Sequence, residues 1–459
     1  MWLAGLMVVW ATALLALSLA GVFALLHTVY WLVSPPLSPQ AQDYEALAKA
    51  LPTSTDNAYR VEGLFAPAAL GPVQYGRCIH PFLQLRKDQE AEKQKGVERC
   101  NQGKTLLSLP PALDQAKVSP GWTEREWLTL AQAVPDQTLL SRTKEIAAAG
   151  PRIFGYRPLD LSPPLRPLLM LNLWQSAHAL ALWRQGRIDD AVSAFEDAIG
   201  DNLQSADDTL IEAMLSVNGL SKNLLALQLV LAQSPAPDEA SAQRLQQVLD
   251  AMDGMPSRGA KAMDAEWATY ASSFDFEELR KQWDRPGVLG WFTTAPLRLT
   301  HREDTLNRLA IQFGVARQRM LTASQGASMA QSATTQMPDA SPCASLGTAA
   351  IVCYGALPNP FGRYFLDNMD VEASAYERYG VRIADVRNLA AATRLTLEAR
   401  RRGLTSQGLA AFVANAPPEM RDVFTRQPFA YDAQARELTI VLREKSTVLG
   451  DTGEYRLPL

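Results

Sequence analysis

From Trp2 to Val33 the chain carries no Asp, Glu, Lys or Arg, and that run constrains everything after it. A helix crosses a bilayer with about 20 apolar residues, so this stretch can span with residues to spare. Trp2 stands at one end and Tyr30 with Trp31 at the other, the headgroup levels that aromatic rings favour. Ser34-Pro35-Pro36 closes the run, because proline lacks the N–H a continuing helix needs and restrains the residue before it. A cleaved secretion signal would begin with basic residues, carry a shorter apolar core and end on small residues. The run fits a retained anchor instead. Ala16, Ala20 and Ala24 recur at every fourth position, a spacing that lets a second helix approach, but alanine is common in such helices and the stripe is read as composition.

Orientation is legible only weakly, since neither end of the anchor has the Lys/Arg excess of a cytoplasmic flank. The first basic side chain beyond it is Lys49, after Asp43 and Glu45, which favours export of the long C-terminal part. The cysteines favour the same side. All four, Cys78, Cys100, Cys343 and Cys353, follow the anchor in two sequence-local pairs, the even count that an oxidising compartment produces. The expected disulfides are Cys78–Cys100 and Cys343–Cys353, out of the three connectivities that four cysteines allow. The expected location is the bacterial inner membrane, single-pass, with a periplasmic body.

Beyond the anchor lie roughly 425 residues, enough for two or three domains or one elongated array. The whole chain has 47% hydrophobic residues, 20% charged and a net charge of -4, and the part beyond the anchor reads as ordinary globular protein. Nothing points to nucleic acid, because no basic stripe is interleaved with aromatics and the acidic balance repels phosphate. Arg400-Arg401-Arg402 runs directly into Gly403, the order that a helix C-terminus prefers electrostatically and sterically; a patch for anionic lipid or a partner is the second reading.

Taken in order, the chain is expected to hold an anchor over 1–33, an extended Pro/Ser linker over 34–42 and an irregular Cys-paired segment over 43–120. An α-helical domain over 121–325, a low-complexity loop over 326–358 and C-terminal helices with a β-hairpin over 359–459 follow. Within the Cys-paired segment, helical spacing marks 44–51, 57–84 shows no period, and the charged run 86–99 reads as a solvent-facing helix held down by the first disulfide. The clearest helical hairpin lies within 167–234: Leu168, Leu171, Trp174, Ala177, Leu180 and Ala181 on one helix, and Ile188, Ala191, Phe195, Ala198 and Ile199 on the next. Asp189-Asp190 occupies the first turn of the second helix, where carboxylates meet exposed N–H groups favourably. Further helices are expected over 238–252, 260–283, 304–323, 373–379, 383–402 and 406–416. The stripe Trp267, Tyr270, Phe274, Phe276 and Trp283 is read as core. At the end, Tyr431 to Leu442 alternates as strands do, with Asp432-Ala433-Gln434-Ala435 as the turn of a small hairpin. The fold class is therefore mainly α, with a single N-terminal transmembrane helix, a repeat-like helical body and a small C-terminal β-hairpin.

The stretch Gly186 to Ile199 resembles the turn and second helix of a tetratricopeptide repeat, with Gly186, Ala191, Phe195 and Ala198 at matching spacings. His178 and Ala179 depart from the pattern of the first helix, and no second copy follows at the repeat's period of about 34 residues. More broadly, the chain is similar to a loosely defined group of bacterial membrane-anchored envelope proteins. The shared features are the anchor, Asn57-Ala58-Tyr59 with Gly63-Leu64, Gly186-Arg187 with Ala191, the NPxGR motif of Asn359, Pro360, Gly362 and Arg363, and Pro428-Phe429 with Tyr431. The likeness implies an envelope location and implies no activity.

A search for chemistry finds little. The histidines are His27, His80, His178 and His301. Cys78, His80 and Cys100 offer zinc-ligand types, yet no CxxC or HxxxH pair accompanies them, and disulfide pairing is the expectation. Gly103-Lys104-Thr105 imitates the end of a phosphate-binding loop, but Glu98 stands where that loop needs glycine. Ser141 and Lys144 match the SxxK of serine acyl-enzymes without the companion SDN and KTG. No GxSxG elbow or HExxH helix occurs. Asp189-Asp190 and Asp207-Asp208 read as helix-start residues. No catalytic, cofactor-binding or metal-binding residue is assigned, and no cofactor is expected. The expected function is a membrane-tethered helical scaffold that contacts a protein or peptide partner of the envelope, attached to the membrane through residues 2–33, with the hairpin from Trp174 to Ile199 as its surface; the alternative is an envelope hydrolase relying on Ser141 and Lys144.

Overall fold

Ser38 and Pro39 open the first helix of the body. In the computed structural model, Ser38 accepts from the Ala41 N–H through its Oγ (3.2 Å) and from the Gln42 N–H through its carbonyl, an N-cap with proline at the first helical position. The structure describes residues 35–50, 55–79, 90–118, 122–150, 165–206, 209–233, 236–272, 300–327, 359–368, 373–404, 406–444 and 453–459, with isolated positions in 10–29 and 343–357. The expected anchor lies largely outside the described residues. Those described within it, among them Trp10, Leu14, Val22, Leu25 and Val29, are helical and exposed.

The expected linker over 34–42 is corrected. It is docked, not extended: α1 (Pro39–Ala50) begins inside it, the Ser38 N–H donates to Asn307 Oδ1 (2.6 Å), and Asn307 Nδ2 donates to the Pro36 carbonyl (3.0 Å). The irregular reading of 57–84 is corrected as well. Two short helices, α2 (Thr55–Glu62) and α3 (Pro72–Ile79), pack so closely that a Cβ on Gly63 would overlap the Pro72 carbonyl and one on Gly76 the Tyr59 carbonyl. Elements of two turns are too brief to display a 3.6-residue period. α4 (Glu90–Asn101) returns Cys100 to Cys78, with Cα atoms 6.1 Å apart.

After a single turn at Pro111–Asp114 come α5 (Glu124–Ala131), α6 (Gln137–Ala148), α7 (Leu165–Arg184) and α8 (Ile188–Ser205), then α9 (Leu210–Gln233), α10 (Glu239–Ala251), α11 (Met255–Ser272) and α12 (Arg302–Ser324). α13 (Pro360–Asn368), α14 (Ala373–Arg401) and α15 (Ser406–Ala414) complete the helices. α7 and α8 form the expected hairpin, turned at Gly186 with φ 76°, and α9 packs on both. Leu210–Ala232 is the one helix among the described residues with the length and hydropathy of a membrane span, and 72% of it is buried inside the fold. It is the central core helix, flanked by α7, α8 and α14.

α14 is continuous where two helices were expected, over 373–379 and 383–402. Gly380 does not break it. A Cβ there would overlap the Met320 carbonyl, so glycine is where α12 and α14 cross in close contact. The expected helix 260–283 begins earlier, at Met255, and beyond Ser272 it lies outside the described residues, as do Phe274, Phe276 and Trp283. At the C-terminus the expected hairpin gains a partner: β1 (Ala430–Asp432), β2 (Glu437–Val441) and β3 (Glu454–Pro458) form a three-stranded antiparallel sheet in the order β1-β2-β3. Asp432 Oδ1 accepts from the Gln434 and Ala435 N–H groups in the expected turn. Tyr455 and Leu457 face the core and their neighbours face solvent, so β3 buries only one side.

Helix C-termini leave carbonyls without intrahelical donors, and arginines from neighbouring elements serve them throughout. Arg258 donates to the Leu203 carbonyl, Arg400 to those of Leu231 and Ala232, Arg394 to that of Leu249 and Arg387 to that of Ser324. The expected helix end at Arg400-Arg401-Arg402 stands, with Gly403 at φ 60°. Arg401 and Arg402 are both ion-paired to Glu398.

Candidate binding cleft

The interior of the α7–α8–α9 layer is not wholly apolar. Asn172 sits in the run Leu-Leu-Met-Leu-Asn-Leu-Trp of α7, and a lone amide in such a run must find partners when buried. It meets Asn202 of α8 and Asn223 of α9. Asn202 Nδ2 donates to Asn172 Oδ1 (2.7 Å) and Asn223 Oδ1 (2.8 Å), Asn223 Nδ2 donates to Asn172 Oδ1 (3.1 Å) and to Ser176 Oγ, and Asn172 Nδ2 donates to the Ala198 carbonyl. Gly219 makes room, since a Cβ there would overlap the Asn202 carboxamide. Saturated networks of this kind fix the register of the elements that contribute to them.

Asn172 and Asn202 form the floor of a surface cleft of about 50 Å³. Thr143 and Ala147 of α6, Leu168, Leu169 and Gln175 of α7, Asp201 and Ser205 of α8, and Glu212, Leu215 and Ser216 of α9 make its walls. Spacings of three and four residues place each set on one helical face. Glu212 also caps α9, accepting from Thr209 Oγ1 (3.2 Å) and the Thr209 N–H (3.3 Å). Gln175 is only 6% exposed and Ser216 2%, and both residues line the cleft.

The sequence candidates fall elsewhere. Ser141 and Lys144 lie one turn apart on the exposed side of α6; Lys144 is ion-paired to Asp197 (2.6 Å), and Ser141 faces Glu145 (3.4 Å). No Ser–Lys dyad is assembled. Arg142, between them, turns inward to the carbonyls of the Leu64–Leu70 turn. His178 stacks on Trp174 with ring centroids 4.8 Å apart, and burial lowers its pKa. His27, His80 and Asp207-Asp208 lie outside the described residues. Asp189 accepts from Ser241 Oγ and Asp190 pairs with Arg187. Cys343 and Cys353 are bonded, with Cα atoms 5.4 Å apart. Trp267 stacks on Tyr44, and Tyr270 packs on Phe313.

Asn359 and Gly362 of the NPxGR motif hold two helix starts together. Asn359, fully buried at φ 53°, accepts from the His301 N–H (3.1 Å) and donates to Asp304 Oδ2 (2.8 Å) and Thr305 Oγ1 (2.9 Å). It staples the start of α13 to the start of α12, and Gly362 leaves space for it. Asn57 likewise holds the end of α6, donating to the Ile146 and Gly150 carbonyls. The cleft residues Asn172, Gln175, Asn202 and Ser216 were missed by motif reasoning, because single amides and hydroxyls form no motif. The only signal for them was polarity within an apolar helical face. Comparison with known proteins finds no family model, no curated protein and no solved structure that matches this chain.

Proposed function

We propose that this chain is a membrane-tethered helical binding protein of the bacterial cell envelope, whose exported body receives a protein or peptide partner in the cleft bounded by α6, α7, α8 and α9. The observation that carries the reading is an open cleft whose lining draws polar side chains, among them Thr143, Gln175, Asp201 and Ser216, from four helices. Two disulfides support an oxidising compartment, and the apolar run over 2–33 supports the tether. The docking of Pro36 and Ser38 on α12 would then hold the body close to the bilayer.

Photo-reactive residues at Leu169, Leu215 and along the Trp174 to Ile199 hairpin, cross-linked in intact cells and followed by mass spectrometry, test this. One dominant exported or membrane partner is expected at the cleft positions. A folded, correctly located protein that yields no specific adduct would sink the proposal.

A further inference from the structure

We infer that the face formed by the first half of α12 and by α13 lies on the bilayer beside the tether; the inference rests on the membrane-tethered reading and adds a lipid-facing surface to it. The apolar run ends at Val33, and three residues of extended chain reach at most about 11 Å, so Pro36 stands close to the headgroup boundary. Asn307 of α12 holds it there, donating to the Pro36 carbonyl (3.0 Å) and accepting from the Ser38 N–H (2.6 Å). The part of α12 around Asn307 therefore faces the membrane surface. Ile311 follows by four residues, about 6 Å along the helix and on the same side, and it is 43% exposed. Three residues before Asn307, Asp304 accepts from Asn359 Nδ2 (2.8 Å), which fixes the start of α13 against this end of α12. α13 then carries Tyr364, 40% exposed, between the half-buried rings of Phe361 and Phe365.

The chemistry of these side chains suits the interface. Tyrosine settles at the headgroup level with its ring towards the acyl chains and its hydroxyl in water, and an interfacial helix sinks its apolar side about 5–10 Å into the boundary. Ile311 gains by the same transfer, since lipid covers surface that water otherwise meets. Charge narrows the kind of lipid. Arg302 is ion-paired to Glu45 (3.4 Å) and Arg308 to Asp304 (3.0 Å), and Glu303, one turn before Asn307, adds a further carboxylate. A basic cluster would draw the face to anionic headgroups, but these arginines are already neutralised within the protein. The contact therefore depends on apolar and aromatic partition, for which zwitterionic lipid is sufficient.

The test places one nitroxide at a time on the full chain in nanodiscs of phosphatidylcholine, at Ile311→Cys, Tyr364→Cys, Leu25→Cys within the tether, and Val134→Cys on the turn between α5 and α6, with both native disulfides left oxidised. Leu25 and Val134 are each 64% exposed. Oxygen concentrates in lipid and a nickel chelate stays in water, so their relative effects on the label's relaxation report its depth. At positions 311 and 364 oxygen should dominate, at a depth within about 5–10 Å of the headgroup boundary, while position 134 should favour nickel. Ile311→Cys decides the matter alone if Tyr364→Cys does not fold. Nickel access at 311 equal to that at 134, with the label at 25 deep in lipid, would overturn the inference and leave the tether standing. Nickel access at 25 as well would overturn both. Replacing part of the lipid with phosphatidylglycerol should leave the depths unchanged; burial that appears only with the anionic lipid would overturn the assignment to neutral partition.

Discussion

Replacing Arg142 by methionine removes the group that organises the turn between α2 and α3. Its side chain is 4% exposed and donates to the carbonyls of Leu64 (2.9 Å), Ala66 (2.6 Å), Pro67 (3.2 Å) and Leu70 (2.8 Å). These acceptors are neutral, and burial lowers the pKa of the guanidinium. Each buried carbonyl left without a donor costs about 1–3 kcal/mol. The Leu70 carbonyl lies nearest solvent and rehydrates, while those of Leu64, Ala66 and Pro67 stay dry, a gross loss of about 3–9 kcal/mol. Methionine fills a similar volume and relieves the burial of a charge, which returns several kcal/mol. The expected net loss is ~1–5 kcal/mol, a sizeable share of a typical total of about 5–15 kcal/mol. Urea unfolding with both disulfides intact, followed by circular dichroism, reads this as a lower midpoint at unchanged slope. Arg142→Lys should recover less than half, because an ammonium cannot reach acceptors spread in this way. A loss below about 1 kcal/mol for Arg142→Met would refute the reasoning that these bonds hold the turn.

Glu266, buried on α11 near Tyr376, has its carboxyl pushed up by burial from 4.5 to about 7. Its contribution to stability is fully present below pH 4.5 and is lost as pH rises through about 7, by up to ~3 kcal/mol at about 1.4 kcal/mol for each pH unit. Glu266→Gln should flatten the stability profile across that window, and an unchanged slope counts against the assignment. Asn359→Ala removes the bonds to Asp304 and Thr305 and places a side chain at a left-handed φ of 53°, for an expected loss of ~2–4 kcal/mol; Asn359→Gly, which relieves only the backbone, should recover about 1 kcal/mol of it in the same unfolding assay. Gly76→Ala forces α2 and α3 apart at the Tyr59 carbonyl and should cost ~1–3 kcal/mol, seen as faster amide exchange in Thr55–Ile79, whereas native protection there would refute the close-contact account.

Local chemistry made much of the fold legible. The hairpin of α7 and α8 followed from apolar spacing and from Gly186, the helix end at Arg400 to Gly403 from charge and glycine, and the β1–β2 turn from Asp432. The cysteine pairs were legible from sequence proximity. Each of these depends on residues within about one helical turn, one hairpin or one short loop, so the sequence holds all the parts.

What tertiary structure alone decided is where a local rule had two outcomes. Glycine breaks a helix or permits close crossing, and only the presence of α12 against Gly380 selected the second. Ser-Pro starts a helix or lies in a linker, and α12, by holding Ser38 and Pro36 through Asn307, selected the start. The cleft is the strongest case. Its residues come from four helices, and an amide on a helix is informative only once its neighbours across the bundle are in place, as they are for Asn172. Satisfaction of a buried polar group is a property of the packed ensemble of elements, so no single stretch of sequence encodes it.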